Sequence, residues 1–216
     1  MKRLIGVLVG TVLLAAFGCG GGEGDGGGEN APEFPVPLAI GNWWYSQNVS
    51  DSTSWDTTKI VDDTVYDGHD AFVGITVYED DSGNLVQDTA IAYYADSFLV
   101  MHRTFDNDSM QMEVDVKAFK QNMAVGDTWT MFTYDTTMSG FPVTYKSWAT
   151  VTGQEDITVP AGSFSGCYVI LDTMQMLVAG SPVMTNTQKI WLAYGVGTVY
   201  SVTSSDSSQL MDYHIE

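Results

Sequence analysis

The 216-residue sequence predicts an all-β or mainly β fold: a large curved antiparallel meander, half-barrel or barrel-like, with at most one or two short helices. Three observations support this prediction. Residues 110–117 alternate apolar and polar side chains without a fault, and residues 211–216 repeat that pattern. Clusters of turn-forming residues separate the apolar runs. No segment has the apolar stripe of a helix, and only residues 118–123 could form a single turn or a short helix.

Further strands are predicted wherever β-branched and aromatic residues run together. Short turns between consecutive strands make neighbouring strands antiparallel. About a dozen strands need a curved or closed sheet, because a flat open sheet of that size exposes aggregation-prone edges. In chain order the additional strands are residues 43–49, 71–78, 89–94, 98–104, 129–136, 143–151, 167–177, 185–194 and 198–202.

One short pattern occurs twice in the chain. Residues 38–44 and residues 123–129 both read apolar, Ala, β-branched, Gly, Asn or Asp, any residue, Trp. The glycine supplies the conformational freedom for a tight turn, and the tryptophan begins a strand with a large apolar side chain. The pattern marks either two related halves of the sheet or one turn used twice.

The first 18 residues are predicted to be a lipoprotein signal peptide. Lys2 and Arg3 form a positive start, an apolar run follows, and Ala16 and Gly18 are the small residues expected beside a cleavage site. The apolar run is too short to span a membrane. The placement of Cys19 directly after them resembles the lipobox of bacterial lipoproteins, which implies that a lipid is attached to the Cys19 thiol.

Residues 19–33 are predicted to be the lipidated cysteine followed by a flexible tether. Residues 20–28 are mostly glycine, with Glu23 and Asp25 as the only other residue types, so they cannot enter a core. The second mature residue, Gly20, is not the aspartate associated with retention in the inner membrane in enteric lipoprotein sorting. We therefore expect an anchor in the bacterial outer membrane, on its periplasmic or external face. Residues 34–216 are predicted to form a single β-rich domain.

Charge and cysteine content restrict the partners. The formal net charge is −19, which excludes nucleic acid as an expected partner and disfavours adsorption to anionic lipid. With Cys19 lipidated, Cys167 has no second cysteine to pair with, so no intrachain disulfide is expected. Cys167 lies in an apolar run and is predicted to be a small buried side chain.

Three motifs resemble those of uncharacterised bacterial lipoproteins: Gly-Asn-Trp-Trp-Tyr at residues 41–45, Val-Pro-Ala-Gly-Ser-Phe at residues 159–164 and Tyr-Gly-Val-Gly at residues 194–197. Tyr194 stands where that family has proline. The resemblance implies a β-rich fold, similar to the half-barrel of LolA-like and LppX-like carriers, in which a curved antiparallel sheet surrounds an apolar cavity. It supplies no catalytic residue.

The sequence offers no catalytic constellation, and we expect neither an enzyme nor a cofactor. The only histidines, His69, His102 and His214, lack the spacing of a zinc site, and no phosphate-binding loop is present. Residues 162–166 superficially resemble a nucleophile elbow, but Phe164 stands at the nucleophile position.

Calcium is the one metal that the turns bring into question, although we expect no metal site. Acidic and amide oxygens occur together in two turns, but neither fits the twelve-residue calcium loop with its closing glutamate. Ordinary turn chemistry accounts for such residues. The two sets are Asp80, Asp81 and Asn84, and Asp106, Asn107 and Asp108.

These observations predict a lipid-anchored, non-enzymatic envelope lipoprotein. Eleven methionines and an aromatic share of 12% suit an adaptable cleft for an apolar small molecule or lipid, so a binding or carrier module is the first hypothesis. The same residues could simply fill the core. The alternative is a structural or surface-interaction lipoprotein with an acidic face, and a hydrolase comes third.

Overall fold

The computed structural model describes residues 34–80, 82–107 and 110–216, and these residues form twelve strands and no helix. None of the described residues belongs to a helix able to cross a membrane. The strands are β1 (Trp43–Asn48), β2 (Trp55–Tyr66), β3 (His69–Glu79), β4 (Leu85–Ala95), β5 (Phe98–Asn107), β6 (Met110–Lys120), β7 (Thr128–Met138), β8 (Phe141–Val159), β9 (Gly162–Val178), β10 (Ser181–Ala193), β11 (Gly197–Val202) and β12 (Ser207–His214).

All twelve strands belong to one antiparallel sheet that curves into a nearly closed barrel. The strand order is β6-β5-β4-β3-β2-β1-β12-β11-β10-β9-β8-β7. Each strand pairs with its chain neighbour, with two exceptions: β1 pairs with β12, and β6 has no ladder with β7. The predicted fold class, a large curved antiparallel meander of barrel-like form, is confirmed.

Two details of the predicted elements are wrong. Strand β2 was not predicted, because its buried face carries Asp56 and Thr58 and therefore hides the expected alternation. Residues 118–123 form no helix: residues 118–120 complete β6, and residues 121–122 turn. Ala118 and Phe119 are both buried, which holds this segment in the sheet.

Alternation along each strand places one set of side chains inside the barrel. The main core takes buried residues from both ends of the strand order, including Ile60 of β2, Leu99 of β5, Val151 of β8 and Ile190 of β10. Antiparallel neighbours run in opposite directions, so the turns after odd-numbered strands lie at one end, which we call the mouth. The opposite end, the base, is covered by the apolar Val36 and Met123.

The repeated sequence pattern divides the barrel into two halves of six strands. Its first copy begins β1 and its second begins β7. Gly41 N donates to Ile60 O at 3.0 Å, and Gly126 N donates to Val151 O at 2.9 Å. Both glycines have left-handed φ angles, +102° and +94°. The same turn therefore opens β1–β6 and β7–β12, and its recurrence fits both interpretations of the repeated pattern.

The barrel has two seams between these halves. At the closed seam, β1 and β12 pair from Trp43 opposite His214 to Asn48 opposite Ser208. At the open seam, β6 and β7 are joined by side chains: Trp129 Nε1 donates to Lys117 O at 2.9 Å. Beside it, Lys120 Nζ lies 2.7 Å from Asp127 Oδ2.

Candidate functional site

Water reaches the barrel interior at the mouth. Inward-facing Thr76 and Tyr78 in the first half, and Met174 and Met176 in the second, are only partly buried. By contrast, inward residues deeper in the barrel, such as Ile60, are fully buried. The interior is therefore packed towards the base and accessible at the mouth, and it is the accessible part that could admit a ligand.

One wall of the mouth is apolar and flexible. Tyr134, Tyr145, Met176 and Met184 are successive cross-strand partners on β7, β8, β9 and β10, so their side chains share one face. Tyr134 and Met176 pack against the core while keeping part of their surface exposed. Methionine adapts to irregular partners because it is unbranched and polarisable. We call this set the methionine wall.

The facing half of the mouth has a polar wall. Ser46, Asp56 and Tyr78 are cross-strand partners on β1, β2 and β3. Thr58 Oγ1 lies 2.8 Å from Thr76 Oγ1 in the next inward-facing pair. In the second half, the position equivalent to Thr58 is the apolar Ala149, and the position equivalent to Asp56 is Ser147.

Asp56 is the least compensated group of the polar wall. Its exposed fraction is 7%, and no side-chain hydrogen bond or salt bridge reaches its carboxylate from the described part of the chain. Desolvation by burial raises the pKa of Asp56 to about 7. The Asp56 oxygens are not fully shielded from solvent, but a carboxylate that is largely buried and has no side-chain partner is still costly.

The second half also buries a carboxylate, but with a partner. Asp172, 5% exposed, accepts a hydrogen bond from Ser147 Oγ at 2.8 Å. Burial raises the pKa of Asp172 to about 6, and the Ser147 hydroxyl partly opposes that rise. Ser147 Oγ also lies 3.5 Å from Met131 Sδ. Asp172 is thus built into the wall of the second half as part of a local network.

A cavity of about 420 Å³ lies beside the open seam, on the outer side of the first half. Its apolar floor includes Val100 of β5 and Phe132 of β7, and its rim includes Asp67, His69 and Asp115. The side chains of His69 and Tyr93 stack there with ring centroids 5.1 Å apart. Because charged side chains surround much of it, this seam cavity is less suited to an apolar ligand than the methionine wall.

A histidine network lies next to the seam cavity. His102 Nδ1 lies 2.8 Å from Asp115 Oδ1, and His102 Nε2 lies 3.0 Å from Glu113 Oε1. Tyr66 Oη lies 2.9 Å from the same Nδ1. Burial first, and then the charge of Asp115, raise the pKa of Tyr93 to about 12. With both ring nitrogens directed at carboxylates, His102 has no nitrogen left for a substrate, and the network links β5 to β6.

The remaining candidate residues from the sequence do not come together in one site. Cys19, residues 1–33 and the calcium candidates Asp81 and Asp108 lie outside the described residues. Asp80 caps its own turn, since Asp80 Oδ1 accepts from Ser82 N and Asn84 N.

Cys167 is fully buried, as predicted, and burial raises the pKa of its thiol to about 11. Nowhere in the described ranges do three or more histidine, cysteine or acidic residues form a group able to hold a metal ion.

Sequence reasoning missed the residues that now matter most. Asp56 lies in the unpredicted strand β2, and the pairing of Met176 with Met184 depends on the register of β9 and β10. The methionine count pointed to an adaptable surface but not to its place. A sequence signal for Asp56 did exist: it alternates with Thr58 and Ile60 on one face of a β-branched run.

The family comparison covers most of the domain. The model of the DUF3108-like family matches residues 46–215. No curated protein matches the chain.

The fold is similar to that of two proteins whose crystal structures are known. One is a putative lipoprotein from Parabacteroides distasonis ATCC 8503, with a TM-score of 0.55 and 16% sequence identity, covering 86% of this chain and 100% of the other. The second is a putative exported protein with a YmcC-like fold from Bacteroides fragilis NCTC 9343, with a TM-score of 0.51, 15% identity and coverages of 85% and 100%. At these identities the similarity concerns the fold alone.

Proposed function

The chain belongs to the DUF3108-like family, and we propose that it is a non-enzymatic, lipid-anchored lipoprotein of the bacterial outer membrane that binds an apolar ligand at the mouth of its barrel. The methionine wall is the observation that carries this proposal. Tyr145 anchors this wall in the core, Tyr134 and Met176 pack on the core while staying partly exposed, and Met184 is also partly exposed, as expected of a surface that a ligand covers. We propose that the curved sheet holds the ligand as the half-barrel of LolA-like and LppX-like carriers does, with an apolar surface on its inner side.

The envelope location is supported by the residues before the domain and by the solved structures of similar fold. Residues 1–18 have the pattern of an export signal, and Cys19 follows at the position of a lipidated cysteine. One of the similar structures is named a putative lipoprotein and the other a putative exported protein. A glycine-rich tether behind Cys19 would let the mouth face away from the lipid surface.

The anchor can be tested by Cys19→Ser. Two or three acyl chains hold a protein on a membrane, and this acidic chain has no other strong attraction to lipid. We expect Cys19→Ser to abolish labelling by a fatty-acid probe and to move the protein to the soluble fraction, with an unchanged circular dichroism spectrum. If the variant remains bound to membranes and only detergent releases it, the proposed anchor is wrong.

Ligand binding can be tested with the apolar dye N-phenyl-1-naphthylamine, whose fluorescence rises in apolar surroundings. Met176→Arg places a charge on the methionine wall and should reduce dye binding at least tenfold. Gln175→Arg is the matched control, because the neighbouring residue of the same strand points to the other face and should leave binding unchanged. Equal binding by both variants would refute the assignment to the mouth.

A complementary experiment looks for the natural ligand. The protein is purified from its own membranes without denaturation, extracted with organic solvent, and the extract is analysed by mass spectrometry. We expect an apolar molecule that is depleted from Met176→Arg and retained by Gln175→Arg. An extract with no such molecule, together with an absence of dye binding, would favour a surface-interaction lipoprotein.

A further inference from the structure

The polar wall holds a carboxylate that the barrel itself does not neutralise. Asp56 shares the inner face of β2 with Thr58 and Ile60, and only 7% of its surface is exposed to solvent. Its nearest basic neighbour along the strand, Lys59, is exposed and points to the outer face. No described side chain forms a hydrogen bond or ion pair with Asp56.

The groups beside Asp56 are suited to a hydrogen-bond donor. Ser46 and Tyr78 flank it as cross-strand partners on the same face. The Ser46 hydroxyl lies beside Asp56, whereas the Tyr78 hydroxyl is hydrogen-bonded to Asp88 and retains its oxygen as an acceptor. Arg103 of β5 is the one basic residue that the described part of the first half places on the inner face. The negative charge of Asp88 partly opposes the fall in the pKa of Arg103 that burial causes. An ammonium group at Asp56 would therefore find a carboxylate and hydroxyl oxygens.

Both walls lie on the inner face at the mouth, so a ligand that reaches across it would meet an apolar side and a polar side. The methionine wall suits an alkyl chain, whereas the polar wall suits a small charged head group. The net charge of −19 favours the approach of cations over anions. A ligand that was only apolar or only charged would use one of the two walls, not both.

We propose that the ligand at the mouth is an amphiphile with a primary amine, whose ammonium group binds the Asp56 carboxylate while its chain covers the methionine wall. This inference rests on the proposed function, because it requires the mouth to bind an apolar chain. The ammonium ion replaces the solvent that Asp56 loses on folding. An anionic amphiphile of equal length would meet the same carboxylate and be repelled.

Three ligands of equal chain length test the head-group preference: dodecylamine, dodecanol and dodecanoate, each displacing N-phenyl-1-naphthylamine below its aggregation concentration. The experiment is done at pH 8, where Asp56, with a pKa of about 7, is mostly ionised and a primary amine remains protonated. We expect dodecylamine to displace the dye at a concentration at least tenfold lower than dodecanol, and dodecanoate to be the weakest competitor.

Asp56→Asn is the diagnostic variant, and Asp172→Asn is its control. The first removes the unpartnered carboxylate without changing its shape, so we expect dodecylamine and dodecanol to become equal within about twofold. The second removes the carboxylate that Ser147 already satisfies and should keep the preference for the amine. Circular dichroism and thermal unfolding establish that both variants are folded.

The outcomes separate the two proposals. If all three ligands displace the dye equally from the unmodified protein, or if Asp56→Asn keeps the preference for the amine, the inference is wrong and the apolar site stands. If Asp172→Asn abolishes the preference as well, the selectivity is not due to Asp56. If neither the dye nor any of the ligands binds, the proposed function itself fails.

Discussion

The two seams of the barrel begin from the same turn and end differently. At the closed seam, Asn42 Oδ1 accepts a hydrogen bond from Glu216 N at 3.0 Å, next to the ladder between β1 and β12. At the open seam, the equivalent residue Asp127 is bound by the side chain of Lys120, and β6 and β7 form no ladder. A shared local sequence thus produces a shared turn, but it does not decide whether the strands beside it pair.

The reason is that pairing depends on the strand that arrives from the other half. Strand β12 brings its backbone within reach of Asn42, whereas β6 ends with a long charged side chain that spans to Asp127. A lysine side chain can bridge a gap that a backbone hydrogen bond cannot. The open seam is consequently held by Lys120 and the Trp129 indole, and these contacts are easier to break than a ladder.

The halves differ in the same way inside the barrel. Asp56 lies four residues before Ile60, and Ser147 lies four residues before Val151, the two residues that receive the equivalent turn bonds. Ser147 completes a hydrogen bond with Asp172, whereas Asp56 has no such partner among the described residues. At equivalent positions, the second half therefore has a hydrogen-bonded pair of polar side chains, whereas the first half has a carboxylate without a side-chain partner.

The largest expected difference between the halves is in the dependence of stability on pH. The pKa values of Asp56 and Asp172 are raised to about 7 and about 6 in the folded protein, so their protonated forms favour folding. This stability is present below the unfolded pKa of 3.8 and is lost as the pH rises to about 7. The contributions are on the order of 4 kcal/mol for Asp56 and 3 kcal/mol for Asp172, as upper limits.

Urea unfolding at pH 4.5 and pH 8 measures this effect. Asp56→Asn should flatten the fall in stability and make the protein more stable than the unmodified chain at pH 8. Asp172→Asn should have the smaller effect, because Ser147 partly stabilises the charged form of Asp172. A pH dependence that is the same in Asp56→Asn and the unmodified chain would contradict the assignment.

The next largest effect is expected at the two turns. Asn42 is fully buried, and its side chain also donates to Pro37 O at 3.2 Å, so Asn42→Ala removes two hydrogen bonds. We expect a loss of about 2 to 3 kcal/mol in unfolding free energy. Asp127→Ala should cost clearly less, because water can replace its contacts. Equal losses in urea unfolding would mean that the turns are equivalent in energy as well as in shape.

The smallest effect is expected at the open seam. Trp129→Phe keeps an aromatic ring in the core but removes the hydrogen bond from Trp129 Nε1 to Lys117 O, at a cost of about 1 kcal/mol. Amide hydrogen exchange should accelerate along the facing edges of β6 and β7. Exchange across the β1–β12 ladder should stay the same; acceleration at both seams would show that they open together.

The sequence predicted the fold class because alternation is a local property. Residues 110–117, with their unbroken alternation, lie within β6 as expected, and the repeated pattern correctly located the turns at Gly41 and Gly126. Where the inner face is polar, as in β2, the same reasoning failed. Asp56 and Thr58 look like surface residues until the curved sheet places them inside.

The sequence by itself determined most of the strands and the turns, because each depends on residues close together in the chain; the anchor at Cys19 stays a prediction from the same kind of local pattern. Only the tertiary structure decided which seam closes, which methionines share a wall and which buried carboxylate has a partner. Met176 and Met184 meet through register, and Asn42 meets Glu216 across 174 positions of sequence. Such contacts depend on how distant strands arrive beside one another, and no local pattern records that arrangement.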